Sequence, residues 1–265
     1  MWRRPGVLLG GTALYAGVTF VTYVTFYDPR KSESSTNSAQ RVNDAMRVHI
    51  FDTNASKYDK EVDWDERFMG ISLMRRFLLK KAHGRILEVA AGTGRNLAFY
   101  PATSEVILTD PSYGMLDQVS KIERQRLKSC QIRVMAAEKL AFPDDHFDTV
   151  VDTFGLCSMD DSVQTLREMQ RVCKKDGGRI LLLEHGQSSY TWISGILDKF
   201  ADLHAQKWGC HWNRDILKLI DQAGLEVESV RRFHFGTTYY VVAKPGCDHD
   251  KNFKIDDRSA EDEDV

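Results

Sequence analysis

At 265 residues the chain is long enough for one α/β core with short attachments at either end. Its hydrophobic share of 42% and charged share of 28% exclude a disordered chain, and a net charge of −2 offers no basic field for nucleic acid. Five scattered cysteines (Cys130, Cys157, Cys173, Cys210, Cys247) with no C-x-x-C pair exclude a disulfide framework and a zinc ribbon. His204, Cys210 and His211 stand close in sequence, but no second ligand cluster accompanies them, so no metal site is expected.

Gly6 to Tyr27 is an uncharged run of 22 residues. At a rise of about 1.5 Å per residue such a run crosses a hydrocarbon layer of about 30 Å. It reads as a retained N-terminal membrane helix, because Thr25-Phe26-Tyr27 is a poor cleavage site and the segment lacks the amphipathic, arginine-rich pattern of a presequence. Arg3 and Arg4 balance Arg30 and Lys31, so the orientation is not legible. The expected organisation is an anchor over 1–31, a polar serine-rich linker over 32–41, a folded domain over 42–245 and an acidic solvated tail over 246–265.

Within the folded domain, Val42 to Glu61 carries helical signals and Arg67 to Ala82 reads as an amphipathic helix. The basic cluster Arg75, Arg76, Lys80, Lys81, Arg85 is assigned to a solvated helix face rather than to RNA. Strands are expected at Arg85–Ala90, Val106–Thr109, Ile132–Ala136, Phe147–Phe154, Arg179–Glu184, Glu226–Arg232 and Thr238–Ala243, with helices at Ser162–Lys175 and Asn213–Ala223 between them. This alternation predicts a mostly parallel, doubly wound sheet. The last two strands are joined by only a few residues around His234-Phe235-Gly236, which requires an antiparallel hairpin.

The stretch Ile86-Leu87-Glu88-Val89-Ala90-Ala91-Gly92-Thr93-Gly94-Arg95-Asn96 predicts a buried strand, a glycine turn and then a helix. Gly92 and Gly94 let the backbone approach a ligand at the carboxyl end of a strand. Asp110, 22 residues beyond Glu88, is placed to accept hydrogen bonds from ribose hydroxyls, although a helix N-cap would use it equally well. A dinucleotide fingerprint needs a third small residue where Leu97 stands, so the pattern favours a nucleoside without phosphates, hence methyl transfer over hydride transfer. Ala137 and Glu138 are placed to flank the adenine, and Thr153 opens a loop toward the methionine end of the pocket. His185, at the end of the fifth strand, is the candidate general base; a histidine capping the strand end is the alternative. Tyr190, Trp192, Phe200, Trp208 and Trp212 lie where a segment covering the acceptor belongs, although such spacing also suits core packing.

EVAAGTGRN, LTDPS, AAEKLAFPDDHFD and FGLCSMDD, with the later LREMQRVCKKDGGRILLLEHG, resemble class I methyltransferases of the ubiquinone/menaquinone-biosynthesis type. The chain is more similar to fungal mitochondrial inner-membrane methyltransferase-like proteins and to animal thiol S-methyltransferases. The segment Ala55 to Val62 and the apolar N-terminus favour the fungal group. The resemblance implies a Rossmann-like, seven-stranded sheet with one antiparallel strand, and S-adenosyl-L-methionine as cofactor. It implies cofactor contacts by Glu88, Ala90, Gly92, Gly94, Asp110, Ala137, Glu138 and Thr153, with Ala90 replacing the family glycine and Ala136 replacing a frequent acid. The expected acceptor is a small thiol or a lipid-like ring. A single-pass protein of the mitochondrial inner membrane is implied first, and the endoplasmic reticulum second. Methylation of protein or RNA in the organelle, and a non-catalytic assembly factor that keeps the pocket, remain open at this stage.

Overall fold

The computed structural model describes residues 44–246, so the expected anchor and linker, and the expected acidic tail beyond Gly246, lie outside the described residues. Among the described residues, no helix is long and apolar enough to cross a membrane.

The described residues carry β1 (Arg85–Val89), β2 (Glu105–Asp110), β3 (Ser129–Val134), β4 (Thr149–Thr153), β5 (Arg179–His185), β6 (Glu226–Phe233) and β7 (Thr238–Lys244). They form one sheet in the order β3-β2-β1-β4-β5-β7-β6. Neighbours from β3 to β5 pair in parallel, while β7 runs antiparallel to both β5 and β6. The hairpin expected from the short connection at His234 to Gly236 is therefore present.

Helices α1 (Asp44–Phe68), α2 (Ile71–Leu79), α3 (Tyr113–Asp117), α4 (Lys121–Gln125), α5 (Ser162–Val172), α6 (Thr191–Trp208) and α7 (Ile216–Ala223) complete the described chain. Central strands bury both faces, which is why they read as near-continuous apolar runs. Leu87, Val89, Ile180 and Leu182 pack with Leu166 and Met169 of α5 and Ile216 and Ile220 of α7. Ile86, Leu181 and Leu183 point the other way, onto Leu78 and Leu79 of α2 and onto Leu97 and Tyr100. Asp161 and Asp215 cap α5 and α7 by accepting the Gln164 and Lys218 amides.

Several expectations are corrected. The helix expected over 67–82 is divided: α1 ends at Phe68, Gly70 adopts φ 70°, and α2 begins at Ile71. No α-helix follows the glycine turn; Leu97–Phe99 form one 3-10 turn before Pro101 cuts the segment short. The third strand lies at Ser129–Val134 rather than 132–136, because its register is set by pairing with Glu105–Asp110. Phe147 makes only an isolated bridge to Cys173, so β4 begins at Thr149. Among the cluster read as a solvated face, Arg75 is buried at 4% exposure, while Arg76, Lys80, Lys81 and Arg85 are exposed.

Candidate functional site

The carboxyl ends of β1, β2, β4 and β5 converge on one edge of the sheet. Leaving β1, the chain turns at once: Ala90 takes φ 47°, Gly92 φ 55° and Gly94 φ 77°. Gly94 is confined as well as left-handed, since a Cβ there would press on Leu97 and Val119 at 3.1 Å. Ala90 holds a conformation that glycine adopts without strain, at a cost of about 1 kcal/mol.

Asp110 closes this turn from the end of β2. Its Oδ2 accepts the Gly92 amide at 2.9 Å and its Oδ1 accepts the Ser112 amide at 2.8 Å. Burial nevertheless pushes its pKa up to about 6. Each carboxylate oxygen accepts more than one bond, so both keep acceptor capacity for a hydroxyl. The helix N-cap that Asp110 offered in the sequence falls instead to Ser112, whose hydroxyl accepts the Met115 amide at 3.1 Å; Asp110 organises the two turns and keeps lone pairs at the edge. The segment after β3 is tied to the same point, because the Met135 amide donates to the Asp110 carbonyl at 3.1 Å. There Ala137 is buried and Glu138 is half-buried.

Glu88 points away from the turn, into the core beneath it. Its carboxylate accepts Tyr100 Oη at 2.6 Å and Asn96 Nδ2 at 3.0 Å. Burial dominates these bonds and moves its pKa up to about 7. Asn96 in turn accepts Arg75 Nη1 at 2.8 Å, and the same guanidinium reaches Thr153 Oγ1 at 2.6 Å and Glu66 at 2.8 Å. Arg95 then spans Glu66, Asp59 and Asp63 of α1 at 2.7–2.9 Å. Burial alone would raise the Glu66 carboxyl, but Arg75 and Arg95 hold it below the ordinary range. Thr93 adds a bond to Asp59 at 2.7 Å, so α1 is fastened directly over the glycine turn.

Two further carboxylates, Asp152 and Glu184, are fully buried at the ends of β4 and β5. Neither has a well-formed hydrogen bond; the nearest donors are the Gly155 amide for Asp152 and the Gly155 and Leu156 amides for Glu184. Burial first, and then the surrounding negative groups, push both well above the carboxylate range. Gly155 passes so close that any Cβ would overlap the Asp152 carboxylate and crowd Ala90. Next to them, Cys157, His185 and Cys210 bring one ligand atom each to within 4.8 Å of one another. Burial alone would raise the Cys157 thiol, yet the Cys210 thiol and His185 overcome it and hold it well below the thiol range. Burial likewise opposes the His185 proton, and the Cys157 charge outweighs it, leaving the imidazole above its usual value. His185 and Tyr58 of α1 are both half-buried.

Glu88, Ala90, Gly92, Gly94, Asp110, Ala137, Glu138 and Thr153 therefore gather on one edge, with His185 beside them. Sequence reading missed Arg75, Arg95, Asp152 and Glu184, as well as the grouping of Cys157 with Cys210. The two carboxylates had a signal: each is an acid at the carboxyl end of an otherwise apolar strand. The cysteines had none, because they come together from separate elements. Of the aromatic segment, Tyr190 and Trp192 are 52% and 65% exposed, so these two do not serve the core.

A methyltransferase-domain family model matches residues 87–181, which spans the glycine turn, Asp110 and β4. The mitochondrial methyltransferase OMS1 of Saccharomyces cerevisiae is 34% identical over 216 residues, covering 74% of this chain; the chain spans 46% of that longer protein. The ubiquinone/menaquinone biosynthesis C-methyltransferase UbiE of Azotobacter vinelandii is 33% identical over 198 residues, covering 66% of this chain and 74% of the relative. The chain belongs to the class I S-adenosylmethionine-dependent methyltransferases related to UbiE. Solved structures agree on the fold of this methyltransferase. A Thermotoga maritima S-adenosylmethionine-dependent methyltransferase gives a TM-score of 0.57 at 21% identity, covering 75% of this chain and 99% of that one. Geranyl diphosphate C-methyltransferase from Streptomyces coelicolor, solved with S-adenosyl-L-homocysteine, gives 0.52 at 14% identity, covering 66% and 76%.

The residues present fit the cofactor of this methyltransferase family. S-adenosylmethionine carries a sulfonium and an ammonium group, and the edge offers Asp152 with acceptor capacity that the protein itself hardly uses. The left-handed Gly92 and Gly94 form the tight turn that brings the backbone beside Asp110.

Proposed function

We propose that this methyltransferase acts on a small, soft acceptor, a thiol or a lipid-like ring, at a mitochondrial membrane. The single observation that supports the acceptor side is the cluster of Cys157, His185 and Cys210, soft and titratable groups gathered at the carboxyl ends of β4 and β5 beside buried Asp152 and Glu184. The mitochondrial compartment rests on the yeast relative, and membrane attachment rests on the apolar run Gly6 to Tyr27.

Bound S-adenosylmethionine supplies an electrophilic methyl group on a sulfonium, which an aligned nucleophile displaces in line. Asp110 is assigned to the ribose hydroxyls, with its orientation fixed by the Gly92 and Ser112 amides. Gly92 and Gly94 allow close approach of the backbone, with Ala90 completing the turn, and Asp152 complements positive charge at the methionine end. Ala137 and Glu138 flank the adenine. Glu88 and Thr153 act from beneath, through Asn96 and Arg75, by keeping the floor rigid. α1 covers the turn and keeps water away from the methyl group. His185 receives the proton when the acceptor carries one at the reacting atom.

The test is methyl transfer by the full-length protein in detergent or vesicles, with radiolabelled cofactor, against small thiols and polyprenylated phenols. Transfer to either class at turnover, reduced at least tenfold in Asp110→Ala, is the expected result. Folded, cofactor-binding protein that methylates neither class, but labels co-purified protein or RNA, would contradict the reading.

A further inference from the structure

We propose that Cys157, Cys210 and His185 form a site for one soft divalent metal ion of the zinc class, with a fourth position left for a ligand from outside the protein. Three separate elements meet there: the 3-10 turn Leu156–Ser158 after β4, the last residue of β5, and the loop that follows the left-handed Gly209 at the end of α6. Cys210 Sγ lies 3.8 Å from His185 Nδ1 and 4.0 Å from Nε2, and all three ligand atoms stay within 4.8 Å of one another. Bonds of about 2.3 Å to sulfur and about 2.0 Å to nitrogen in a tetrahedral site place ligand atoms roughly 3.5–4 Å apart. The cluster needs only a small contraction to reach that spacing.

The scaffold is fixed independently of any ion. The His211 amide donates to the Cys157 carbonyl at 2.8 Å and so locks the two cysteine-bearing loops together. Phe154 packs against the His185 ring with centroids 5.0 Å apart, which limits ring rotation. Cys157 and Cys210 are both buried, and both are free thiols rather than a disulfide. Buried Asp152 and Glu184 stand nearby with carboxyl oxygens that have few partners, so the surroundings of the trio hold acceptors rather than cations. Two thiols and an imidazole select a thiophilic ion, not magnesium or calcium.

His185 is half-buried rather than sealed, and the trio supplies protein ligands for three positions, which leaves the fourth to an outside ligand. Binding takes both cysteines as thiolates and His185 as the neutral imidazole, and the protons that the trio holds pass to solvent. Resting on the reading of the acceptor as a soft nucleophile, the ion takes over the role given to His185 in its absence: a thiol entering the fourth position loses its proton to solvent and is held as a metal-bound thiolate. The methyl group then forms a carbon–sulfur bond to that thiolate as its bond to the sulfonium breaks, with no oxidant or reductant required.

Full-length protein, stripped with chelator and kept reduced, is titrated with cobalt(II) and then zinc(II). One equivalent of cobalt should give thiolate-to-metal charge-transfer absorption that zinc abolishes. Cys157→Ser and Cys210→Ser should each weaken binding at least a hundredfold while retaining S-adenosylmethionine binding, which reports that they fold; His185→Ala should weaken it at least tenfold. A small alkyl thiol should shift the cobalt spectrum. Native protein that binds the cofactor but shows no thiolate–cobalt absorption would overturn the site, as would full thiol methylation by metal-free protein, which leaves the thiol reading intact. Stoichiometric cobalt binding without methylation of any thiol keeps the metal site and removes the thiol reading instead.

Discussion

At the scale of single residues, the carboxylates of the site are held against their ordinary titration. Glu88 has a folded pKa of about 7 against an ordinary value of 4.5, because it is buried beneath the glycine turn. A carboxyl whose folded pKa lies above its unfolded one stabilises the fold fully below pH 4.5, and loses that contribution as pH rises toward 7. The contribution is roughly 3 kcal/mol. Denaturant titrations across this window should show stability falling with pH in native protein, and Glu88→Gln should flatten that fall. Asp110, with a folded pKa of about 6, accepts hydroxyl bonds best when ionised. Cofactor affinity should therefore rise as pH passes through that value, and Asp110→Asn should remove the rise in a calorimetric pH series. Ala90 carries strain at φ 47°, so Ala90→Gly should raise stability by about 0.5–1 kcal/mol, read as a higher thermal midpoint.

Among elements, the decisive joint is between α1, α2 and the turn. One guanidinium, Arg75 of α2, holds Glu66 of α1, Asn96 of the turn and Thr153 of β4 at once. Arg75→Ala leaves Glu66 half-paired in a buried position, and should cost about 3–5 kcal/mol in denaturant unfolding. Arg75→Lys should rescue only part, because one ammonium does not span three partners in a fixed plane. Legibility divides along the same line. β1, β2, β5 and the β6–β7 hairpin were readable because their partners are dictated by local apolar runs and a short connection. The break at Gly70 was not, because Arg67 to Ala82 keeps one amphipathic pattern across it. Arg75 was misread for a related reason: helical periodicity tells which residues share a face, but not that a buried acid on another helix awaits one of them. The helix expected after the glycine turn failed because Asn96 turns inward to Glu88 and Pro101 follows.

For the whole molecule, an open α/β sheet concentrates function at the edge where its strand order reverses, between β1 and β4. Gly92, Gly94 and Asp110, expected from motif and spacing, and His185, expected from its place at a strand end, all lie at these carboxyl ends. Cys157 and Cys210 stand 53 residues apart in the chain and meet only when the loops after β4 and α6 close on β5. No spacing rule reaches such a pair. The central claim is that this edge holds S-adenosylmethionine through Asp110. Calorimetric titration of the full-length protein tests it most directly, with native protein compared against Asp110→Ala. Micromolar binding in native protein, lost by at least a hundredfold in the folded variant, is the predicted result. Equal affinity in both, or no binding by folded native protein, would contradict the account.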